Sequence, residues 1–330
     1  MHLLSLQVLR AIGAISVVIC HAGIQLNSCT KTTIAWSNVG AAGVDLFFVI
    51  SGFIITLVSW NSFGRIDAIA PFLARRAVRI GFLYWLVTTI YVLASYLLSD
   101  SYPLSRIVAS YLFLPVDGWH VIMVAWTLVY EVMFYLVFAA CLVLPRILGL
   151  WAVAAALIGL TLSHIPFYSH PMILEFSFGI CAAAAYRDGI RLPAVASVLL
   201  IAAGFATFVV SGTHAEHTVV WWGIPAAMIL IGTVLAAELP SNRFWRSFAL
   251  IGDASYALYL THLPIILFAG HMAGLTGLDF VASPFFVVAY FVICVALAIC
   301  VALLVFRVVE EPVLAASKRL LRRPIPVPVS

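Results

Sequence analysis

Charged residues are scarce in this sequence. Asp, Glu, Lys and Arg together make up only 9% of the 330 residues, whereas a soluble domain carries about 25%. Apolar residues account for 65% of the chain, so too few polar side chains remain to cover a water-exposed surface. This composition excludes a soluble enzyme, a nucleic-acid-binding domain and a disordered protein. It predicts an α-helical protein that crosses the membrane several times.

Cysteine is also scarce, and its spacing carries no signal. The six cysteines form no CxxC pair, and five of them lie inside apolar runs. A disulfide framework or a zinc site needs closely spaced or conspicuously grouped cysteines. We therefore expect no disulfide framework and no metal.

Ten apolar segments of roughly membrane-spanning length follow one another along the chain, at about 20 residues per crossing. They predict an all-α, polytopic transmembrane bundle of about ten helices, within one membrane domain over residues 1–312 and before a short basic tail over 313–330. The segments cover about residues 6–26, 40–60, 72–96, 124–145, 148–164, 171–187, 192–211, 218–237, 250–271 and 284–307.

The distribution of basic residues predicts how the bundle is oriented across the membrane. If the N-terminus is cytoplasmic, ten crossings place all but two of the 17 Lys and Arg residues on the inner side. The two exceptions are Lys31 and Arg106. Because inner loops carry the excess of Lys and Arg, both termini are predicted to be cytoplasmic.

Two ionisable residues share one face of the first predicted helix. Arg10 and His21 are eleven positions apart, which is about 1100° or three turns plus about 20°, and about 16 Å along the axis. An ionisable side chain within a span is costly unless it is paired or faces a wet cavity, so it is a functional candidate. The simpler alternative is a buried histidine that bonds a neighbouring helix.

Two carboxylates lie in the next apolar segments. Asp45 is placed at the outer end of the second segment, at a depth comparable with that of His21, where it could orient the imidazole. Its alternative is a helix-end aspartate that faces lipid headgroups. Thr127, Glu131 and Tyr135 share one face of the fourth predicted helix, and the glutamate needs a partner or a proton there.

Three arginines begin the third predicted helix on its inner side. Arg75, Arg76 and Arg79 fall on one side of that helix, and guanidinium groups fit phosphate oxygens in bidentate fashion. The cluster suits a pyrophosphate or phosphomonoester. Its alternative is a common positive-inside anchor that contacts lipid phosphates.

The ninth and sixth segments also carry polar residues. Ser255, Tyr259 and His262 share a face, with His262 near mid-membrane, where it could instead bond across to another helix. Glu175 is a further buried carboxylate with no supporting pattern, and Glu310 begins an acidic pair that ends the last span.

Taken in order, these segments resemble the acyltransferase-3 family of integral-membrane acyltransferases. The start of the chain, Leu6–Ile12, and the short total length further resemble the exopolysaccharide-production (ExoZ-like) branch. One departure is Thr127, which stands where the family motif usually has serine. The matching motifs are Arg10 with His21, Gly43–Phe53, Arg75–Ile80, Trp126–Glu131, Ser255–His262 and Glu311–Pro312.

The resemblance implies a membrane O-acyltransferase. Such a protein would move an acyl group, in the first instance acetyl, from cytoplasmic acetyl-CoA or another acyl-CoA to a hydroxyl of an envelope or exopolysaccharide glycan or of its lipid-linked precursor. Acyl-CoA would be a co-substrate, with no permanently bound cofactor. The implied location is the bacterial cytoplasmic (inner) membrane, in contact with lipid and with a polysaccharide-assembly machinery as a further partner.

The resemblance also gives the candidate residues roles. The catalytic candidates are His21, as general base or transient acyl carrier, and Asp45 or Glu131, either of which would hold its tautomer. The residues expected to bind the phosphates of CoA are Arg10, Arg75, Arg76 and Arg79. The residues expected to line the path of the acceptor substrate are Trp126, Tyr259 and His262.

Two other classes of protein are compatible with the composition. A transporter or flippase for a glycan or lipid-linked intermediate would also bury His, Glu and Arg, although the chain has no internal repeat of the kind many transporters show. A scaffold in a polysaccharide-assembly complex explains the helices but not the arginine cluster together with buried His and Glu.

Overall fold

The apolar runs form helices because a helix satisfies its own backbone hydrogen bonds, which lipid cannot do. The structure is a computed structural model that describes residues 3–30, 34–98, 101–211, 219–276 and 283–320. Within these ranges the secondary structure is entirely helical, as the sequence predicts. The α-helices are α1 (Leu4–Cys29), α2 (Ala42–Ser59), α3 (Ile69–Leu97), α4 (Leu104–Tyr111), α5 (Trp126–Cys141), α6 (Arg146–Leu162), α7 (Glu175–Arg187), α8 (Ala194–Ser211), α9 (Ile224–Val234), α10 (Arg243–Asp253), α11 (Ser255–Leu275), α12 (Pro284–Val305) and α13 (Glu311–Leu320).

Part of this helical set is long and apolar enough to cross a membrane. Within the described ranges six segments meet that requirement, and three shorter apolar helices accompany them. Each of the ten predicted segments overlaps an observed helix, but the ninth is divided at Ala254 between α10 and α11. The six long segments are Leu4–Cys29, Trp36–Ser59, Ile66–Leu97, Met123–Cys141, Ser255–Leu275 and Pro284–Leu320.

Helices α1 and α11 run parallel and in a constant register. Arg10 bonds to Ser255, and further along the same two helices Gly270 lies against Gln25 and Gly274 against Cys29. Each pair differs by 245 in residue number, as expected of two parallel helices without slip. This register aligns the polar residues of α11 with those of α1.

The segment before α2 runs back along α1 as a 3-10 helix, Trp36–Ala41. Ser37 lies beside Gly23, and six residues later Gly43 lies against the backbone of Gly13. A Cβ atom at Gly43 would approach the Gly13 carbonyl oxygen to 2.3 Å, so glycine is required at this crossing. Helix α2 therefore begins deep in the bundle.

The other end of α2 packs on α7. A Cβ atom at Gly52 would lie 2.1 Å from the carbonyl oxygen of Phe176, and this close approach brings the aromatic side chains of α2, α5 and α7 into one core. In that core Phe176 stacks on Phe48 and Phe134, at ring-centroid distances of 4.8 and 4.2 Å.

The last described helix crosses the predicted domain boundary. Helix α13 covers Glu311–Leu320, so the first eight residues of the predicted tail are helical. The rest of the tail, 321–330, and Lys31 lie outside the described residues.

Candidate active site

Two histidines from the parallel helices α1 and α11 meet inside the bundle. Nε2 of His262 lies 3.3 Å from Nδ1 of His21, and the two ring centroids are 5.0 Å apart. His262 is completely buried, whereas His21 is partly accessible. The sequence predicted both residues but did not predict that they touch.

The carbonyl partners of the two rings define where their protons lie. Nδ1 of His21 is 3.0 Å from the Val17 carbonyl oxygen, and Nδ1 of His262 is 3.0 Å from the Leu258 carbonyl oxygen. A carbonyl oxygen only accepts, so in the neutral rings we assign the proton to Nδ1 of each. Nε2 of His262 then accepts from His21, and Nε2 of His21 carries a lone pair with no hydrogen-bond partner among the described residues.

One helical turn from the histidine pair, Tyr259 joins α11 to the start of α5. Its hydroxyl donates to the Val124 carbonyl oxygen at 2.7 Å and lies 2.6 Å from Oγ1 of Thr127. Its ring centroid is 6.1 Å from that of His262. Tyr259, predicted to line the acceptor path, is thus held between the histidine pair and the motif of α5. Thr127 supplies the hydroxyl that the family serine would supply.

Arg10 lies at one end of this polar row. Its guanidinium donates to Oε1 of Gln7 at 2.9 Å and to Oγ of Ser255 at 2.8 Å. Its charge also interacts electrostatically with those of Arg79, Glu310 and Glu131. We call this part of the bundle the arginine end, defined by Arg10, Arg76 and Arg79.

Arg79 on α3 is paired with Glu310. Its guanidinium donates to Oε1 of Glu310, which is almost fully buried, and it lies over the ring of Tyr256, 5.8 Å from the centroid. Glu310 belongs to a single π-helical turn, Phe306–Glu310, between α12 and α13. Such turns are frequent at functional sites.

The three predicted arginines of α3 have different surroundings. Arg76 is half-buried over the rings of Phe72 and Tyr135, and its Nε has no hydrogen-bond partner among the described residues. Arg75 is exposed. The structure therefore places Arg76 and Arg79 toward Arg10, whereas Arg75 is exposed and interacts electrostatically with Arg76.

Glu131 lies near the arginine end and does not contact His21. Its Oε1 accepts a hydrogen bond from Ser51 at 2.9 Å and another from the hydroxyl of Tyr135. The predicted face of Thr127, Glu131 and Tyr135 is present, but its two ends have different partners. Thr127 contacts Tyr259, whereas Tyr135 bonds Glu131 and lies under Arg76. The prediction that Glu131 holds the tautomer of His21 is wrong in this geometry.

Asp45 has a different partner from the one predicted. It is completely buried, and its carboxyl group lies beside that of Glu175 on α7. Residues 36–41 descend along α1, so Gly43 is level with Gly13 and not with His21. The predicted match in depth between Asp45 and His21 is therefore wrong. The backbone carbonyl of Val17 and His262 orient the imidazole instead.

Trp126, the remaining predicted substrate residue, lines a cavity at the start of α5. The cavity has a volume of about 190 Å³ and is lined by Ala41, Val44, Trp126, His170 and Met172. Because Trp126 precedes Thr127, this cavity adjoins the contact between Thr127 and Tyr259.

Several site residues escaped the sequence analysis. Ser51 bonds Glu131, and Glu310 pairs with Arg79 across 231 residues of sequence. The one available signal for the latter was an acidic pair that ends an apolar helix on the same predicted side as the arginines. Among the described residues, no group of three or more His, Cys, Asp or Glu side chains could hold a metal ion.

Comparison with known proteins adds two findings. Residues 3–305 match the acyltransferase-3 family profile, which is described as an acyltransferase domain. The chain is also 34% identical over 268 residues to the exopolysaccharide production protein ExoZ of Rhizobium meliloti (strain 1021), an alignment that covers 72% of this chain and 81% of that protein. No solved structure matches the chain.

Proposed function

The chain belongs to the acyltransferase-3 family, and on that premise we propose that it is a multi-pass membrane O-acyltransferase that uses acyl-CoA. The acyl group is in the first instance acetyl. The acceptor is a hydroxyl of an exopolysaccharide or envelope glycan, or of its lipid-linked precursor. The acceptor class is supported by the ExoZ protein, whose name assigns it to exopolysaccharide production.

The arginine end is the proposed entry for acyl-CoA. The distribution of basic residues supports ten crossings with cytoplasmic termini in the bacterial inner membrane, which turns Arg10, Arg76 and Arg79 toward the cytoplasm. Nε–H of Arg76 has no acceptor in the described part of the chain, and guanidinium groups bind phosphate oxygens well. The phosphates of acyl-CoA would bind here, and the exposed Arg75 would contribute less than the other three.

The distance from the arginine end to the histidine pair suits a long donor. Arg10 and His21 are eleven positions apart on α1, or about 16 Å at 1.5 Å per residue. The pantetheine arm of CoA is long and largely apolar, so it can carry the thioester along this path. The row of Ser255, Tyr259 and His262 on α11 follows the same direction because the two helices are parallel.

His21 is the proposed general base. Its Nε2 lone pair accepts the proton of the acceptor hydroxyl while the hydroxyl oxygen attacks the thioester carbonyl carbon. The tetrahedral intermediate then breaks its carbon–sulfur bond, and the departing CoA sulfur takes the proton from Nε2. The products are the acyl ester and CoA with a free thiol, so atoms and charges balance.

His262 is the proposed positioning residue for this step. The Leu258 carbonyl holds its Nδ1 proton, which turns the Nε2 lone pair toward Nδ1–H of His21. When His21 becomes an imidazolium, the Val17 carbonyl and His262 both accept from that Nδ1–H. Charge-assisted hydrogen bonds are stronger than neutral ones, so these two acceptors stabilise the imidazolium that forms when His21 takes the proton.

The observation that carries the proposal is this histidine pair aligned with the arginine end by two parallel helices. The test is to incubate the purified full-length protein with radiolabelled acetyl-CoA and exopolysaccharide, and to count label in the glycan. Release of the label by mild alkali identifies the product as an ester. Glycan that stays unlabelled, while the protein moves glycan or its lipid-linked precursor across vesicles, would instead favour the transporter.

A further inference from the structure

A cavity lies at the start of α5, where Trp126 lines it and precedes Thr127 in the chain. Its volume is about 190 Å³, and its walls come from α2, α5 and the segment before α7. Pockets that bury whole drug-sized ligands measure about 300–1,000 Å³, so this one matches a smaller group. Its lining combines apolar side chains, one indole and one imidazole, which is the mixture typical of a ligand site.

Two of its walls are close in the chain or in space to neighbours of the histidine pair. On one side the backbone amide of Ala41 faces the sulfur of Cys20, the residue that precedes His21. On the other side Trp126 precedes Thr127, which contacts Tyr259, whose ring faces His262. The cavity therefore adjoins the contact of Thr127 with Tyr259, whose ring centroid is 6.1 Å from that of His262.

The third wall is a strained loop. His164 and Phe167 have φ values of +55° and +71°, which are uncommon for residues other than glycine. The surroundings fix the loop: the ring of Phe167 stacks on Tyr130 at 4.3 Å, and the hydroxyl of Tyr130 donates to the Phe167 carbonyl oxygen at 2.8 Å. Strain that the structure maintains in this way is concentrated at ligand and active sites.

The loop ends at His170, at the rim of the cavity. Nδ1 of His170 accepts from the backbone N–H of Met172 at 3.3 Å, so in the neutral ring the proton is on Nε2. The exposed His170 thus offers an N–H donor. Trp126, half-buried opposite, offers an apolar face.

From this arrangement we propose that the cavity is the acceptor subsite and binds one pyranose ring. A pyranose has an apolar face that packs on an indole and a polar edge that takes hydrogen bonds, which the lining supplies in these positions. His170, Met172 and Val44 would then select the acceptor sugar. This inference rests on the proposed function, because it assumes a sugar as acceptor.

Two substitutions test the subsite. Val44→Phe fills the cavity, and His170→Asn replaces the imidazole, with its Nε2–H at the cavity, by a shorter side chain whose oxygen still caps Met172. The matched control is His164→Asn, in the same loop but away from the cavity, since asparagine tolerates a positive φ. Each variant is assayed for the KM of the glycan at saturating acetyl-CoA and for the KM of acetyl-CoA at saturating glycan.

We expect the KM of the glycan to rise about three- to tenfold in His170→Asn and more in Val44→Phe. The KM of acetyl-CoA stays unchanged in both, and His164→Asn behaves as wild type. An unchanged glycan KM in Val44→Phe and His170→Asn overturns the subsite while leaving the acyltransferase intact.

A binding measurement separates the two proposals. Saturation-transfer NMR with methyl β-glucoside and methyl β-galactoside, on the full-length protein in detergent, reports binding without turnover. Signals in wild type that are lost in Val44→Phe support the subsite even if no acyl transfer is found, in which case the proposed function fails alone. No signal from either sugar with wild type overturns the subsite.

Discussion

His262 presents Nε2 to Nδ1 of His21 at 3.3 Å, and both Nδ1 atoms also face backbone carbonyls one turn earlier in their own helices. A ring held in this way has its proton on Nδ1, which leaves Nε2 of His21 as the basic atom. Two parallel helices thus do what a carboxylate does in many other sites: they orient an imidazole and stabilise its charged form.

Replacing His262 tests this positioning role. His262→Phe removes the acceptor for Nδ1–H of His21, and because one hydrogen bond contributes about 0.5–1.5 kcal/mol, we expect kcat to fall about two- to tenfold. The KM of acetyl-CoA should not change, since His262 is far from the arginines along α11. His262→Gln, which can accept through its side-chain oxygen, should recover part of the rate. A raised KM with normal kcat in His262→Phe would make the residue a binding group.

The three arginines of α3 should contribute unequally to the binding of acetyl-CoA. Arg76→Gln and Arg79→Gln each remove hydrogen bonds to charged phosphates, which contribute about 1.5–3 kcal/mol, so the Kd of acetyl-CoA should rise about ten- to 150-fold. The matched control is Arg75→Gln, because Arg75 lies on the same helix but is exposed. Equilibrium binding of radiolabelled acetyl-CoA in detergent measures all three. Equal effects from the three arginines would show that the described geometry does not govern donor binding.

Glu310 should stabilise the fold through Arg79. Glu310→Gln replaces a charged hydrogen bond by a neutral one, and we expect a loss of about 1–3 kcal/mol, visible as a lower unfolding temperature of the detergent-solubilised protein. The neighbouring Glu311→Gln is the control, since Glu311 is exposed. If both variants unfold at the wild-type temperature, the ion pair contributes nothing measurable.

The contact between Thr127 and Tyr259 should require a hydroxyl and not a particular residue. Thr127→Ser keeps the hydroxyl at the motif position and should retain activity. Thr127→Val keeps the shape but loses the contact, and we expect about 1 kcal/mol less stability and a slower kcat as Tyr259 loses a partner beside His262. The thermal unfolding temperature and single-turnover rate of each variant decide the point. Equal stability and rate in Thr127→Ser and Thr127→Val would show that the hydroxyl contributes to neither.

Asp45 gives a prediction that separates packing from catalysis. Its carboxyl group lies beside Glu175 and not beside His21, so Asp45→Asn should change the thermal stability while leaving the KM values and kcat of the folded fraction near wild type. Glu175→Gln should behave alike, because the two side chains share one environment. A selective loss of kcat in Asp45→Asn at normal stability would restore a catalytic role for this aspartate.

Much of the site could be predicted from local sequence because helical periodicity fixes which residues share a face. The shared face of Arg10 and His21, that of Glu131 and Tyr135, and the row that ends at His262 all depend only on spacing. The scarcity of charge helped as well, since each ionisable residue in an apolar run was conspicuous.

The errors concern how one helix meets another. The depth of Asp45 depends on the segment 36–41, which runs back along α1 instead of lying outside the bundle, and glycine contacts such as Gly43 with Gly13 decide this. The pairing of Arg79 with Glu310 joins α3 to the π-helical turn after α12, 231 positions apart in the sequence. No period along a single helix contains such information, because it depends on the packing of separate elements.

The central claim is that Nε2 of His21 takes the proton of the acceptor hydroxyl. Its most direct test is the single-turnover rate of transfer from radiolabelled acetyl-CoA to glycan by His21→Ala, with His271→Ala, an exposed histidine near the far end of α11, as the control. We predict that His21→Ala is slower by about 10²–10⁴-fold while its acetyl-CoA Kd stays at the wild-type value and His271→Ala is unaffected. A rate for His21→Ala close to that of wild type, with the protein folded and binding acetyl-CoA, would contradict the account.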